Sequence, residues 1–115
     1  MVFQMDQNPS EESIVNKILV DAKQGLVVFD LTPNDVIRYT DLPQIIDKVF
    51  RELQKKTEAN VIKITGRGPV WLYSAVVHTA SHLAKAVAVF DAVNKKYVIV
   101  VTHSPEYRVG DVLPQ

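Results

Sequence analysis

Apolar positions along the chain change their period several times, and each change marks an element. Ile18-Leu19-Val20 and Leu26-Val27-Val28-Phe29-Asp30-Leu31 flank the polar Ala22-Lys23-Gln24-Gly25, which predicts two short strands joined as a hairpin. Ser10 could instead cap an amphipathic helix over Ile14 to Asp21, but the hairpin fits the β-branched runs better. Pro33 and Asn34 then break the pattern. Between Pro43 and Glu58, Ile45, Ile46, Val49, Phe50 and Leu53 recur at helical spacing among charged residues, the pattern of a helix packed on a sheet.

Val61-Ile62-Lys63-Ile64-Thr65 reads as the next strand, Val70 to about Leu83 as a second helix, and Ala86-Val87-Ala88-Val89-Phe90 as a buried strand ending at Asp91. A turn from Ala92 to Lys96 leads into Tyr97-Val98-Ile99-Val100-Val101. The order β-β-α-β-α-β-β predicts a Rossmann-like, three-layer α/β domain with parallel central strands, helical crossovers and antiparallel edge strands. Met1 to Glu12, polar and carrying Pro9 and Ser10, is expected to be a loosely ordered lead-in to a single domain over 13–115.

Composition narrows the picture. A chain of 115 residues with 47% hydrophobic positions supports one core, and the lack of cysteine leaves only histidine and carboxylate for a metal site. The sequence has neither an apolar run long enough for a membrane span nor a basic-then-apolar leader, so a cytoplasmic protein is expected. Formal net charge is zero, which argues against bulk electrostatic binding of nucleic acid. The balance is uneven, however: residues 1–50 hold eight acids and four bases, residues 51–115 five acids and nine bases.

That positive half contains Gly66-Arg67-Gly68-Pro69-Val70-Trp71-Leu72, a strand-to-helix turn. Gly66 and Gly68 allow a tight turn and close approach of a ligand, Pro69 suits a first helical turn, and Arg67 can fork onto a phosphate. The spacing matches neither the P-loop nor the dinucleotide fingerprint, and a tight turn with a solvated arginine explains it equally well. Asp91 is expected beside this loop, at the carboxyl ends of the strands, with Asp30 near the end of the second strand.

His78 and His82, four residues apart, share a helix face, and His82 is expected at the amino edge of the sheet together with His103. Three histidines at one edge suit a divalent metal or acid/base cluster, although ordinary helix-end and strand-end residues fit the same spacing. His82 and Asp91 then lie roughly 15–20 Å apart, the length of the strand between them, so joint action on one bond requires two subunits in a stacked assembly. Trp71 reads first as core, with a second reading as a base-stacking group beside the loop, and Tyr73 and Ser74 lie within reach of a ligand there.

Taken together, the Gly66 to Leu72 loop, His78, His82, Ala88-Val89-Phe90-Asp91, His103-Ser104 and Arg108-Val109-Gly110-Asp111-Val112 resemble the Csx-three family of CRISPR-associated ring nucleases. The resemblance implies a Rossmann-like dimer that uses a divalent cation, typically manganese, to cut cyclic tetra-adenylate, the second messenger of type III CRISPR antiviral defence. It implies that substrate is held between two dimers whose facing surfaces supply a histidine and an aspartate, which correspond here to His82 and Asp91. Substrate contacts fall to Gly66, Arg67, Gly68, Pro69, Trp71 and Ser74, and metal contacts to His78, His82 and His103. Where the family has an arginine shortly after the aspartate, this chain has Ala92-Val93-Asn94-Lys95, so that contact falls to Lys95. Some members are joined to an ATPase-like domain, and the chain's end soon after Gly110-Asp111 leaves room for one. Two other functions fit the same anion loop: a non-catalytic cyclic-oligoadenylate sensor, and a manganese-dependent exonuclease removing 3′ adenosines from RNA.

Overall fold

In the computed structural model, which describes residues 13–56 and 59–114, the chain forms one mixed six-stranded sheet in the order β1-β2-β3-β4-β5-β6. The strands are β1 (Ile18–Asp21), β2 (Leu26–Phe29), β3 (Val61–Gly66), β4 (Ala86–Asp91), β5 (Lys96–Thr102) and β6 (Val112–Pro114), with α1 (Leu42–Lys56) and α2 (Val70–Ser81) as crossovers. The expected loose segment Met1 to Glu12 lies outside the described residues.

β1 and β2 form the antiparallel hairpin anticipated from their β-branched runs, and a short 3-10 turn over Ile14–Lys17 takes the place of the alternative helix. Left-handed Gly25 closes the turn, where a Cβ would strike the Ala59 side chain. β2, β3 and β4 run parallel, and β4, β5 and β6 alternate. A bulge at Val87/Ala88 in the β4–β5 pairing leaves Val100 as the unmatched residue of β5. β6 is absent from the sequence reading. It has three residues and ends on a proline, too short for an alternation and tolerated only at an edge.

The three-layer expectation requires correction. Both helices lie on one face: Ile45, Val49 and Leu53 of α1 and Leu72, Val76 and Ala80 of α2 share a core with Ile18, Val27, Phe29, Ile62, Ile64 and Val87. The helices also touch each other. The reason is topological. β2, β3 and β4 are consecutive neighbours, so two right-handed crossovers advancing the same way place their helices on the same side. Among the described residues there is no reversal of strand order and hence no switch-point crevice.

The opposite face is thinner. Ala86, Ala88, Tyr97 and Ile99 form a second cluster, covered in part by Tyr107, Phe90 and Leu113, and the Lys63 ammonium sits 5.2 Å from the centre of the Tyr97 ring.

Candidate functional site

At the carboxyl edge, β3 delivers the chain into the loop through Gly66, at φ +115°. A Cβ there would collide with the backbone of Phe29, whose carbonyl accepts the Arg67 N–H at 3.1 Å. Gly68 is constrained more loosely: a Cβ there would lie 2.9 Å from Leu72 Cδ2, the movable end of a side chain. Packing against β2 and α2 therefore accounts for both glycines.

Pro69 occupies the N-cap of α2, one position before the first helical turn, and its carbonyl accepts from the N–H groups of Leu72 and Tyr73. The Tyr73 hydroxyl donates to the Gly66 carbonyl, while its ring meets that of Phe29 edge-on with centroids 4.9 Å apart. Burial, and secondarily the charge of Tyr97, pushes the Tyr73 hydroxyl above its ordinary range, so it stays protonated as a donor. These contacts hold the loop in one shape. Among the described residues, the first-turn N–H groups of Val70 and Trp71 have no backbone acceptor outside the helix, and the exposed Arg67 side chain has no ion pair.

Arg67, Gly68 and Pro69 form one wall of a hollow of ≈ 360 Å³, and the β2–α1 loop supplies the other with Thr32, Asp35 and Ile37. Sequence reasoning missed this second wall. Its signal was the Thr32-Pro33-Asn34-Asp35 turn, in which the Asp35 carboxylate accepts both the Thr32 N–H (2.7 Å) and hydroxyl (3.1 Å). Lys17 binds the same carboxylate at 2.7 Å, tying the loop to the start of β1. Trp71 is half-buried against the main core, which favours its packing role, and Ser74 is exposed on the outer side of α2.

Asp91 ends β4 at this edge. The register Val61↔Ala86 through Ile64↔Val89, carried on two residues, brings it level with Gly66. Its carboxylate accepts from Val93 N–H (3.0 Å), Asn94 N–H (3.4 Å) and Asn94 Nδ2 (2.9 Å). The Asn94 side chain first, then those backbone N–H groups, hold the carboxyl below its usual range. It is an anion and acceptor, unsuited to donating a proton. Lys95 closes the turn in the left-handed region (φ 57°), its N–H on the Asp91 carbonyl at 2.7 Å and its side chain exposed.

The histidines occupy the amino edge. α2 ends at Ser81 with His82 as C-cap, and one turn back His78 places its Nε2 3.2 Å from His82 Nε2, the rings edge-on at 72°. The negative end of the helix dipole favours a cation here. His103 follows β5 and bonds the Lys85 carbonyl through its N–H at 2.8 Å, so it reaches the same edge and shares with His82 a hollow of ≈ 470 Å³.

The three imidazoles do not converge. Among the described residues no group of three or more metal-binding side chains comes together, so His78 and His82 form a pair from which His103 stands apart. The pair itself fits a divalent ion. Two ligands about 2.1 Å from one ion lie about 3.0 Å apart at a right angle and about 3.4 Å apart in a tetrahedron, which brackets the 3.2 Å separation. Imidazoles alone suit a zinc-like ion better than manganese, whose preference for oxygen would have to be met by phosphate, water or a carboxylate from elsewhere.

The chain is thus a two-layer α/β domain with, among the described residues, a loop of free N–H groups and an unpaired arginine at one edge and an imidazole pair at the other. It belongs to the Cas_csx3 family of CRISPR-associated proteins, whose model matches residues 30–114. It is also 34% identical over 84 residues to an uncharacterized protein of Aquifex aeolicus (strain VF5), a match covering 73% of this chain and 68% of that one. Among the described residues no helix is long and apolar enough to cross a membrane.

Proposed function

We propose that the protein is a metal-dependent ring nuclease acting on cyclic tetra-adenylate, and that its reaction centre is completed by two copies of the chain. The observation that carries this reading is the placement of His82 and Asp91 at opposite ends of β4, six residues long. Each edge holds half of a phosphodiester-cleaving apparatus. Two dimers stacked amino edge to carboxyl edge would bring the halves together, and the two-fold axis kept by each dimer suits a cyclic ligand with repeated phosphates.

In this reading Arg67 and the N–H groups of the first turn of α2 bind the ring's phosphates. His78 and His82 would hold a divalent cation, which supplies charge neutralisation at the phosphoryl group in the transition state. Asp91 of the second copy, an anion that accepts hydrogen bonds, orients the attacking hydroxyl, either water or a ribose 2′-OH. The new P–O bond forms as the P–O5′ bond breaks, the attacking hydroxyl releasing its proton to solvent and the departing 5′ oxygen taking one up from solvent. Lys95 adds a point charge near Asp91 without the two-pronged grip of an arginine.

A second reading is a sensor without catalysis. It is favoured by the engagement of the Asp91 carboxylate with its own turn. Incubation with cyclic tetra-adenylate, with manganese or with chelator, separates the two by product chromatography. Metal-dependent linear di- or tetra-adenylate supports the nuclease. Intact ring that co-elutes with the protein supports the sensor and sinks the catalytic assignment.

A further inference from the structure

α1 and α2 run side by side on the sheet, and a groove of ≈ 460 Å³ opens between them, well within the usual size of a small-ligand site at about 300–1,000 Å³. From α2 it is lined by His78, Thr79 and His82, and from α1 by Ile46, Asp47 and Phe50. The imidazole pair therefore faces a groove whose other wall comes from α1, which no motif in the sequence had connected to it.

Phe50 is the unexpected member. Its helical neighbours Val49 and Leu53 are completely buried, yet Phe50 is 37% exposed. The ring pairs among the described residues join Phe29 to Tyr73, His78 to His82 and Phe90 to Tyr97, leaving Phe50 without an aromatic partner. Asp47 lies one turn nearer the start of α1. Its Oδ2 accepts Arg51 Nε at 2.9 Å, and its Oδ1 has no hydrogen bond among the described residues.

The groove thus offers three chemistries together: an imidazole pair for a phosphate or its cation, a flat open ring, and a carboxylate oxygen open to a donor. An adenosine phosphodiester carries the complement of each, in its phosphate, its purine face and its exocyclic amine. We propose that this groove is a nucleobase subsite in which one adenine of the ring stacks on Phe50 and turns its amine toward Asp47 while the adjoining phosphate meets His78 and His82. The proposal rests on cyclic tetra-adenylate being the ligand. It assigns base selection to α1, apart from the phosphate-binding loop on the far edge. Stacking tolerates any base, so Phe50 supplies affinity and Asp47 the preference for an amine.

Calorimetric titration of cyclic tetra-adenylate in chelator measures binding without turnover. Phe50→Ala and Phe50→Leu are expected to weaken binding roughly 5- to 150-fold, the equivalent of about 1–3 kcal/mol for one stacked base, while Phe50→Tyr retains it. Leu keeps the apolar bulk without the ring, so equal affinity of Phe50→Leu and wild type overturns the subsite. A cyclic tetranucleotide of purine, lacking only the amine, should bind wild type more weakly than the adenine ring. Asp47→Ala should erase that difference, and a difference that survives overturns the role of Asp47. Unchanged melting temperatures of the variants keep the comparison free of folding effects. If Phe50→Ala instead leaves affinity intact and lowers the mass seen by light scattering, a second copy covers the groove and the proposal fails. Failure of the wild type to bind the adenine ring removes the functional reading itself, and the subsite with it.

Discussion

His82 closes α2 at one edge of the sheet and Asp91 ends β4 at the other, so the strand between them holds the two side chains roughly 15–20 Å apart. No rotamer change spans that distance. The two can serve one phosphate only if they come from different copies, which makes complementation the sharpest test of the proposed reaction. His82→Ala and Asp91→Asn should each lose about a hundredfold or more of ring cleavage. An equimolar mixture should recover part of it, because some interfaces then pair an intact histidine with an intact aspartate. If the mixture stays as inactive as either variant while both remain folded, the two-copy site is wrong.

The two loop glycines should differ in what they tolerate. Gly66→Ala forces a Cβ into the Phe29 backbone at a positive φ, and neither can yield, so a loss of about 2–4 kcal/mol is expected in urea denaturation. Gly68→Ala meets the tip of the Leu72 side chain, which can turn away, so a smaller loss of about 1 kcal/mol is expected. Equal losses would mean that the Phe29 contact is not what fixes Gly66.

How far the sequence exposed this arrangement depends on which physical property carried each feature. The β-branched runs located β1 to β5, and the helical period of Ile45, Val49 and Leu53 located the buried face of α1. Periodicity identifies the face a helix buries but not the side of the sheet that receives it, which is why the layer count needed the strand order. Strand direction sufficed to place His82 and His103 at one edge, because that follows from topology alone. The failure of His103 to join the His78–His82 pair depends on side-chain directions that spacing does not encode. The glycines of the loop suggested a ligand, whereas the contacts with Phe29 and Leu72 that account for them join segments far apart in sequence or hidden within α2.

Acid should destabilise the fold through two carboxylates. Lys17, then the Thr32 N–H, hold the Asp35 carboxyl below its ordinary value, as Asn94 and its neighbours do for Asp91. A depressed folded-state pKa means that the unfolded chain binds the proton first. The associated stability is therefore complete above the unfolded value of 3.8 and is lost as pH falls from there through the lower folded values. Melting temperatures of wild type should fall across that window, and Asp35→Asn combined with Asp91→Asn should flatten the decline. An unchanged slope in the double variant would place the acid sensitivity elsewhere.

Lys95 is asked for two opposed things, and one substitution separates them. Its backbone sits at φ 57°, a region that costs an L-residue about 1–2 kcal/mol and glycine little, and glycine's greater freedom in the unfolded chain returns about 0.5–1 kcal/mol of that difference. Lys95→Gly should therefore stabilise the domain by about 0.5–1 kcal/mol. The ammonium, exposed beside Asp91, has no ion-pair partner among the described residues, so in the proposed site its role is to meet a phosphate of the ring. The same variant should then bind cyclic tetra-adenylate more weakly, with a shallower dependence on salt, while melting at a higher temperature. Greater stability with unaltered binding would make Lys95 a residue of the turn alone, and the phosphate contacts at this edge would rest on Arg67 and the first turn of α2.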